Sequence, residues 1–510
     1  MSVPPPEPER GPARKLAYAL LVALLSVGLV ELGLALSEEA PTQTTTSRGF
    51  DRNAAYFVPD PEREGGWLPN YFPNGWLPFR IPPKGDALRV CMYGGSNTWT
   101  FPAHVLQQNL ERASGLGPGA FEVINLGRNG YGSERVRILF EQSMKLEPDV
   151  VLIYSGHNEF VEMGFKAELE SSRGAAAELT GGLAGALRSF RALVLHFTPE
   201  ASERAEDEAG RVPELYQYEH QKFQDQTYVE TELWLDAYAD NLRGMCATAR
   251  EHGALPILCT VVGNQLEAPF VSAHESELPA DSRDEILAAL EAARASFPER
   301  YAFLLSETGN RMHRRDWIHE GRAAAPYDGP TRLRPLLGEY GQRHGWWPEP
   351  ESWGGRARLL VPLLADFHRR ELEPDERASV EQCRAQLGRA LALAPDHPRA
   401  LYALGLTELL VGEPAEAARL LQRAQRFDRA PRCGNEYTNE LVRRVAEESS
   451  EVELLDVWER VRQLVPHGIV GYELMEDVCH FHPGALNLLM RDFAVGLLPQ
   501  LERHGALEGR

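Results

Sequence analysis

Four short stretches of the sequence carry the side chains best suited to chemistry. They are Tyr93–Asn97, Asn125–Gly130, Gly156–Glu159 and Asp477–His480. Together they supply a serine hydroxyl, a glycine N–H, an asparagine amide and an Asp-x-x-His pair. A set of this kind, brought to one place, provides a nucleophile, two oxyanion donors and a base with an orienting carboxylate. The residue types therefore indicate acyl-transfer chemistry.

Buried parallel strands are the elements that must position the first three stretches. Leu88–Tyr93, Phe121–Asn125 and Val150–Tyr154 are short apolar runs, typical of strands covered on both faces. Each run ends at or beside one of these stretches. Leu255–Val262 and Val452–Asp456 predict a fourth and a fifth strand. Because the carboxyl ends of parallel strands in an open sheet meet in one crevice, we expect the polar groups to converge there.

Helical segments alternate with these strands. Helices are predicted at 104–113, 133–146, Leu233–His252 and Leu486–Leu501, and Gly253 stands where a helix C-cap glycine is expected. Alternating strands and helices predict an α/β fold, namely a three-layer, doubly wound, five-stranded parallel sheet.

Composition narrows the function classes. The 510 residues suggest two or more folding units. A net charge of −21 without a basic stripe argues against a nucleic-acid partner. Six cysteines show neither paired spacing nor a C-x-x-C motif, so buried free thiols are favoured over a disulfide framework. The spacing of metal ligands is also absent, and we expect neither a metal nor another cofactor.

The N-terminal region predicts a membrane anchor. Leu16–Leu36 is apolar except for Glu31 and is long enough to span a bilayer as a helix. Because basic residues precede it and acidic residues follow it, the positive-inside rule places the N-terminus in the cytoplasm. We expect a disordered cytoplasmic tail at 1–14, an uncleaved anchor at 15–36 and an exported stalk at 37–85. A cleaved signal peptide is the alternative.

Insertions interrupt the predicted sheet at 160–233 and at 276–375, and a helical repeat follows at 376–432. The Arg389–Pro395 segment recurs 34 positions later at Arg423–Arg429. This period and the small residues in between are similar to those of a tetratricopeptide repeat. An ordinary helical hairpin is the alternative. A repeat of this kind would offer a groove for a peptide or a partner protein.

Two Asp-x-x-His sites compete for the role of the base. They are Asp316/His319 and Asp477/His480. In either site the carboxylate is within reach of the imidazole on one short turn, which fixes the ring's tautomer. The base should follow the last strand and precede a final helix, and only the second site does. We therefore select Asp477 and His480 and assign the other pair to the insertion.

The order and types of these residues resemble the SGNH (GDSL-type) hydrolases, a family named for the Ser, Gly, Asn and His of four blocks. The resemblance implies Ser96 as the nucleophile. It implies the Gly130 N–H, the Asn158 side chain and the Ser96 N–H as oxyanion donors. It also implies His480 as the general base and Asp477 as its orienting carboxylate.

Two positions depart from the family pattern. Gly95 stands where an Asp usually precedes the nucleophile, and Glu159 ends the third block in place of Asp. Neither departure removes a catalytic atom, but both can shift the geometry of a loop.

A narrower resemblance concerns the architecture. Leu258–Asn264 followed by Ala268–Phe270 is similar to the fourth-strand segment of bacterial membrane-anchored SGNH-like proteins that carry an inserted tetratricopeptide unit. The resemblance implies an SGNH-like domain in two parts, 86–275 and 433–510. It implies a single-pass protein of the inner membrane whose catalytic domain lies on the periplasmic side.

The resemblance implies an exported serine esterase or deacetylase that acts on acyl esters, O-acetyl esters included, through an acyl-enzyme. If a sugar hydroxyl replaces water, the same residues give an O-acyltransferase of envelope or exported polysaccharide. A non-catalytic scaffold is the third alternative. The expected partners are an acyl ester, polysaccharide-linked in such relatives, the membrane through the N-terminal helix, and a protein at the repeat.

Several further residues stay open as site candidates. Gly127 competes with Gly130 as the glycine donor, and His482 is a second choice for the base. His157 either lines the cleft or is a bystander. Asn264 either contacts the substrate or shapes its own loop. An aromatic cluster forms either a small satellite core or a stacking platform for sugar or acyl chains: Trp346, Trp347 and Trp353.

Overall fold

The computed structural model describes the chain in segments. These are residues 12–37, 49–50, 52–70, 80–159, 162, 228–266, 278–298, 372–429, 434–471, 474–475, 478–481 and 483–508. The described residues fall into two compact units, one up to Pro82 and one from Pro83 onward. The first three of the four chemistry-bearing stretches, and the part of the fourth that is described, belong to the second unit.

The first unit contains an apolar helix and a short hairpin. Helix α1 (Pro12–Ser37) includes a window, Leu16–Gly33, that is long and apolar enough to cross a membrane. A signal sequence near an N-terminus passes the same test. Strands β1 (Phe57–Pro59) and β2 (Trp67–Pro69) pair antiparallel within the segment predicted as a stalk. Strands of three residues are too short to show an alternating pattern, so this hairpin could not be predicted from the sequence.

Five parallel strands form the sheet of the second unit, which confirms the predicted α/β fold. The strands are β3 (Leu88–Gly94), β4 (Phe121–Asn125), β5 (Val150–Tyr154), β6 (Leu255–Cys259) and β7 (Glu453–Leu455). Their order in the sheet is β4-β3-β5-β6-β7, and every neighbouring pair is parallel. The order reverses between β3 and β5. Ligands of open α/β sheets bind at the carboxyl ends of the strands at such a reversal.

Helices cover both faces of the sheet. One face packs on α3 (Ala103–Ser114), α11 (Val457–Leu464) and α12 (Pro483–Arg503). The other face contacts α4 (Ser133–Ser143) and α5 (Tyr228–Glu251). This burial explains why the sequence reads as continuous apolar runs rather than as alternation.

Strand β6 ends earlier than predicted. The run Leu255–Val262 predicts a strand of that length, but the strand stops at Cys259. The N–H of Val261 donates instead to Oδ1 of Asn439 over 2.7 Å, and Asn439 Nδ2 donates back to the Val261 carbonyl over 2.8 Å. One side chain from α10 (Glu436–Glu447) therefore takes the place of a neighbouring strand.

A helical region follows β6 along the chain, as predicted. It contains α6 (Arg283–Ser296), α7 (Pro374–Leu393), α8 (Pro398–Val411) and α9 (Pro414–Phe427), which share one apolar core. Helices α8 and α9 approach closely at Gly405, where a Cβ would lie 2.9 Å from Leu421 Cγ. The three helices α7 to α9 occupy most of the segment predicted as a repeat.

The cysteines that the structure describes are buried free thiols, as predicted: Cys91, Cys246, Cys259, Cys383 and Cys479. Burial raises the pKa of the Cys91 thiol to about 12 and that of Cys383 to about 11. Thiols with such pKa values stay protonated near neutral pH and are poor nucleophiles. Cys433 lies outside the described residues.

Candidate active site

Ser96 lies where β3 ends and the short helix α2 (Ser96–Thr100) begins. The turn depends on two glycines. A Cβ at Gly94 would overlap the Tyr154 carbonyl oxygen, and a Cβ at Gly95 would overlap the Asn158 amide nitrogen. The N–H of Ser96 belongs to the first turn of a helix, where N–H groups have no intrahelical acceptor. The serine thus presents a hydroxyl and a backbone donor at the carboxyl end of the sheet.

His480 contacts the Ser96 hydroxyl directly. Its Nε2 lies 2.7 Å from Ser96 Oγ, which is a normal hydrogen-bond distance. The serine hydroxyl donates this bond whenever Nε2 carries no proton. Two residues separated by 384 positions therefore form the contact that a nucleophile and a general base require.

The loop that carries His480 is anchored on both sides. The N–H of Asn264, in the segment after β6, donates to the Val478 carbonyl over 2.9 Å. Met475 and Phe481 form an antiparallel bridge around the loop. Cys479 Sγ lies 3.8 Å from His480 Nδ1. Asp477, predicted as the orienting carboxylate, lies outside the described residues.

Asn158 follows β5 and lies against the nucleophile turn. Its Nδ2 donates to the Tyr131 carbonyl over 3.0 Å, and the same nitrogen packs against Gly95. An amide nitrogen carries two hydrogens, and this bond uses one of them. The close approach also explains why position 95 is a glycine, because a side chain there would meet Asn158 and the Tyr131 carbonyl.

The two candidate glycines have different surroundings. Gly130 has φ +72, a conformation that favours glycine, and a Cβ there would meet no atom within 4 Å. At Gly127, by contrast, a Cβ would overlap the backbone of Trp99 in α2. The open side at Gly130 suits a residue whose N–H faces a ligand, whereas Gly127 serves the packing of α2. Arg128 N–H donates to the Gly94 carbonyl over 2.9 Å and so joins this segment to β3.

Two neighbouring candidates have structural partners. His157 is buried, and its Nε2 lies 3.0 Å from the Val262 carbonyl oxygen. Asn264 is also buried, and its Oδ1 accepts the Leu266 N–H over 2.9 Å. These contacts favour the interpretation of His157 as a bystander and of Asn264 as a residue that shapes its loop.

Glu159, the second departure from the family pattern, lies at the N-terminus of α4. Its carboxyl group accepts the Ser133 hydroxyl over 2.6 Å and the Ser133 N–H over 3.1 Å. Burial, reinforced by the nearby carboxylate of Glu162, raises the pKa of Glu159 to about 8. The carboxyl group is therefore largely protonated at neutral pH.

This raised pKa predicts a pH-dependent stability. The folded protein holds the Glu159 proton more tightly than the unfolded chain does. The contribution of this protonated group to the free energy of unfolding is therefore fully present below the ordinary pKa of 4.5 and is lost as the pH rises through about 8. We expect the melting temperature of the wild type to fall over this window, and that of Glu159→Gln to fall less. Thermal unfolding followed by circular dichroism at several pH values measures the difference. Parallel curves for the two proteins would contradict the assignment.

The sequence did not single out two residues that contact this site. Arg135 and Glu162 form an ion pair beside the 130–132 loop, which runs from Gly130 to Gly132. The available signal was spacing, since Glu162 follows Asn158 by four positions and so lies one helical turn beyond it.

The remaining candidates lie outside the described residues: Asp316, His319, His482, Trp346, Trp347 and Trp353. The described residues contain no group of three or more His, Cys, Asp or Glu side chains that could hold a metal ion.

The described part of the site brings together a serine–histidine pair, an asparagine amide and the 130–132 loop at the reversal of the strand order. This arrangement can activate a hydroxyl and offer N–H donors beside it. Comparison with protein-family models, with curated proteins and with solved structures finds no match to the chain.

Proposed function

We propose that this protein is a serine esterase of the SGNH type that cleaves acyl esters through an acyl-enzyme. The observation that carries the proposal is the 2.7 Å contact between His480 Nε2 and Ser96 Oγ. Asn158, packed on the residue before Ser96, supports it, because an amide beside a nucleophile is suited to stabilise an oxyanion. Deacetylation of O-acetyl esters belongs to the same class of reaction.

In the proposed mechanism His480 accepts the Ser96 proton as Oγ attacks the ester carbonyl. The N–H groups of Gly130 and Ser96 and the amide of Asn158 donate to the resulting oxyanion. The tetrahedral intermediate collapses, and His480 returns the proton to the departing alkoxide. Water, deprotonated by His480, then attacks the acyl-enzyme, the bond between the acyl carbon and Ser96 Oγ breaks as His480 returns the proton to Oγ, and the acid is released. Asp477 is proposed to orient the imidazole, on the basis of its spacing from His480 alone.

The wider architecture belongs to the same proposal. If the five parallel strands are numbered 1 to 5 in chain order, starting from β3, their order in the sheet is 2-1-3-4-5. One common type of doubly wound fold has this order, which supports an SGNH-like domain. Helices α7 to α9 are proposed to form a tetratricopeptide-like unit that binds a protein partner. Helix α1 is proposed to be an uncleaved inner-membrane anchor that leaves the catalytic unit in the periplasm.

Hydrolysis of a graded ester series tests the proposed reaction. The full-length protein, purified in detergent, is mixed with p-nitrophenyl esters of two- to eight-carbon acids and with O-acetylated sugars. We expect saturable release of nitrophenol or acetate. Formation of an acylated sugar when an acceptor sugar is added would instead identify an acyltransferase. A folded protein that cleaves no ester and transfers no acyl group would refute the proposal.

Removal of the Asn158 amide should weaken catalysis more than binding. Loss of one oxyanion donor typically lowers kcat by about 10²- to 10³-fold. We therefore expect Asn158→Ala to lower kcat in that range with little change in KM, as measured from initial rates on the best ester. A kcat within about twofold of wild type would remove Asn158 from the oxyanion site.

A further inference from the structure

The 130–132 loop is held at three successive backbone groups by side chains. Arg135 Nη2 donates to the Gly130 carbonyl, and Asn158 Nδ2 donates to the Tyr131 carbonyl over 3.0 Å. The Gly132 N–H donates to Glu162 Oε1 over 2.9 Å. The Arg135 guanidinium also lies 4.5 Å from the centre of the Tyr131 ring. These contacts hold the two peptide groups that directly follow the Gly130 N–H, and so they restrict how the loop that carries this N–H can move.

Arg135 and Glu162 are a buried ion pair. Their Nε and Oε1 atoms are 2.6 Å apart, and the side chains are only 4% and 3% exposed. Burying two charges costs desolvation energy that their attraction does not always recover. Stability alone is therefore a weak reason for this pair, and its contacts with the loop suggest a different one.

Glu162 connects the loop to the turn that carries Asn158. The Glu162 N–H donates to the Asn158 carbonyl over 2.8 Å, which links the two residues directly. The Glu162 carboxylate also accepts the Glu134 N–H over 2.9 Å at the start of α4. Glu162 thus contacts Asn158 through its backbone N–H, and contacts the loop and the N-terminus of α4 through its carboxylate.

We propose that Glu162 and Arg135 are positioning residues that keep the Gly130 N–H aligned with the Asn158 amide. The inference rests on the proposed esterase function. Neither side chain needs to touch the substrate. Oxyanion donors are effective only when they are already in place as charge develops, so their alignment affects kcat rather than KM.

Glu162→Gln tests this role, and Glu159→Gln is its matched control. Both oxygens of Glu162 accept bonds from N–H groups, so an amide must turn its own N–H toward a donor. Glu159 also accepts the Ser133 N–H, but each of its oxygens has a hydroxyl partner as well, from Ser133 or Ser155, which can rotate to accept a bond from an amide. The two variants carry the same change at the same helix end but differ in contact with the loop.

We expect Glu162→Gln to lower kcat by about 10- to 100-fold with KM within about twofold, and Glu159→Gln to change neither by more than about twofold. Glu162→Gln combined with Asn158→Ala should lose less than the product of the single losses, because both act on one oxyanion site. Arg135→Lys, which keeps the charge but loses the fork of donors, should lower kcat in the same way. It provides the test if Glu162→Gln does not fold.

Two results would overturn the inference while leaving the esterase proposal intact. One is a Glu162→Gln or Arg135→Lys protein with the kcat of wild type. The other is a double variant whose losses multiply. A wild-type protein that hydrolyses no ester would instead refute the proposed function, and the inference with it.

Discussion

Replacement of Ser96 by alanine is expected to lower kcat for ester hydrolysis by about 10⁴-fold or more, because it removes the hydroxyl that lies 2.7 Å from His480 Nε2. The hydroxyl is the atom that becomes acylated, so its loss removes the covalent route entirely. Binding should change little, since the side chain is small and 6% exposed. Initial rates at saturating ester measure the effect, with folding checked by circular dichroism.

Ser114→Ala is a suitable control for this experiment. Ser114 ends α3, and its hydroxyl donates to the Glu111 carbonyl over 3.3 Å. We expect this variant to keep the wild-type rate. If Ser96→Ala kept more than about a tenth of that rate, another nucleophile would carry the reaction and the account would be wrong.

Replacement of His480 by alanine is expected to lower kcat by about 10³- to 10⁴-fold while leaving the fold intact. The 2.7 Å bond to Ser96 Oγ is the only contact to that hydroxyl that the described residues provide. Without it the serine remains a weak nucleophile at neutral pH. Added imidazole should restore part of the rate, because the half-exposed ring leaves a space that a free base can enter. The measurement is kcat against imidazole concentration.

His504→Gln controls for the general loss of a histidine. Its ring lies 2.8 Å from Glu453 at the end of α12. This variant should keep the wild-type rate and show no response to imidazole. An equal loss of rate in both variants, or His480→Ala at full rate, would contradict the role of His480 as the base.

The strands and the position of Ser96 at a strand end could be predicted because their signals are local. Val150–Tyr154 has the predicted bounds, since a strand buried on both faces reads as an unbroken apolar run. Phe121–Asn125 also has the predicted bounds, although it is an edge strand that carries Glu122 and is only partly buried. Ser96 follows such a run directly, and two glycines allow the turn that the structure shows. A strand end is where an α/β sheet exposes functional groups, so the position itself was informative.

Other features depend on partners that are distant in sequence. Strand β6 stops at Cys259 because the Asn439 side chain, 178 positions from Val261, satisfies the backbone there. The pairing of Arg135 with Glu162 likewise joins residues 27 positions apart. The spacing of Glu162 from Asn158 relates these two residues only, and neither the Arg135 partner nor the Asn439 partner leaves a periodic pattern in the sequence.

The pKa of Glu159 shows why residue type alone was a poor guide to the third block. A glutamate in place of aspartate adds one methylene, which carries the carboxyl group to Ser133 at the start of α4. Burial there raises its pKa to about 8, so the group acts mainly as a neutral hydrogen-bonding partner of the helix end. Only the three-dimensional position of Ser133 reveals this.

The proposed function requires Ser96 to be an activated nucleophile. The most direct test is to treat the full-length protein with a fluorophosphonate and identify the modified peptide by mass spectrometry. We predict one adduct, on Ser96, that is absent from Ser96→Ala and much slower to form in His480→Ala. A folded wild-type protein that forms no adduct, or forms it on another serine, would contradict the account.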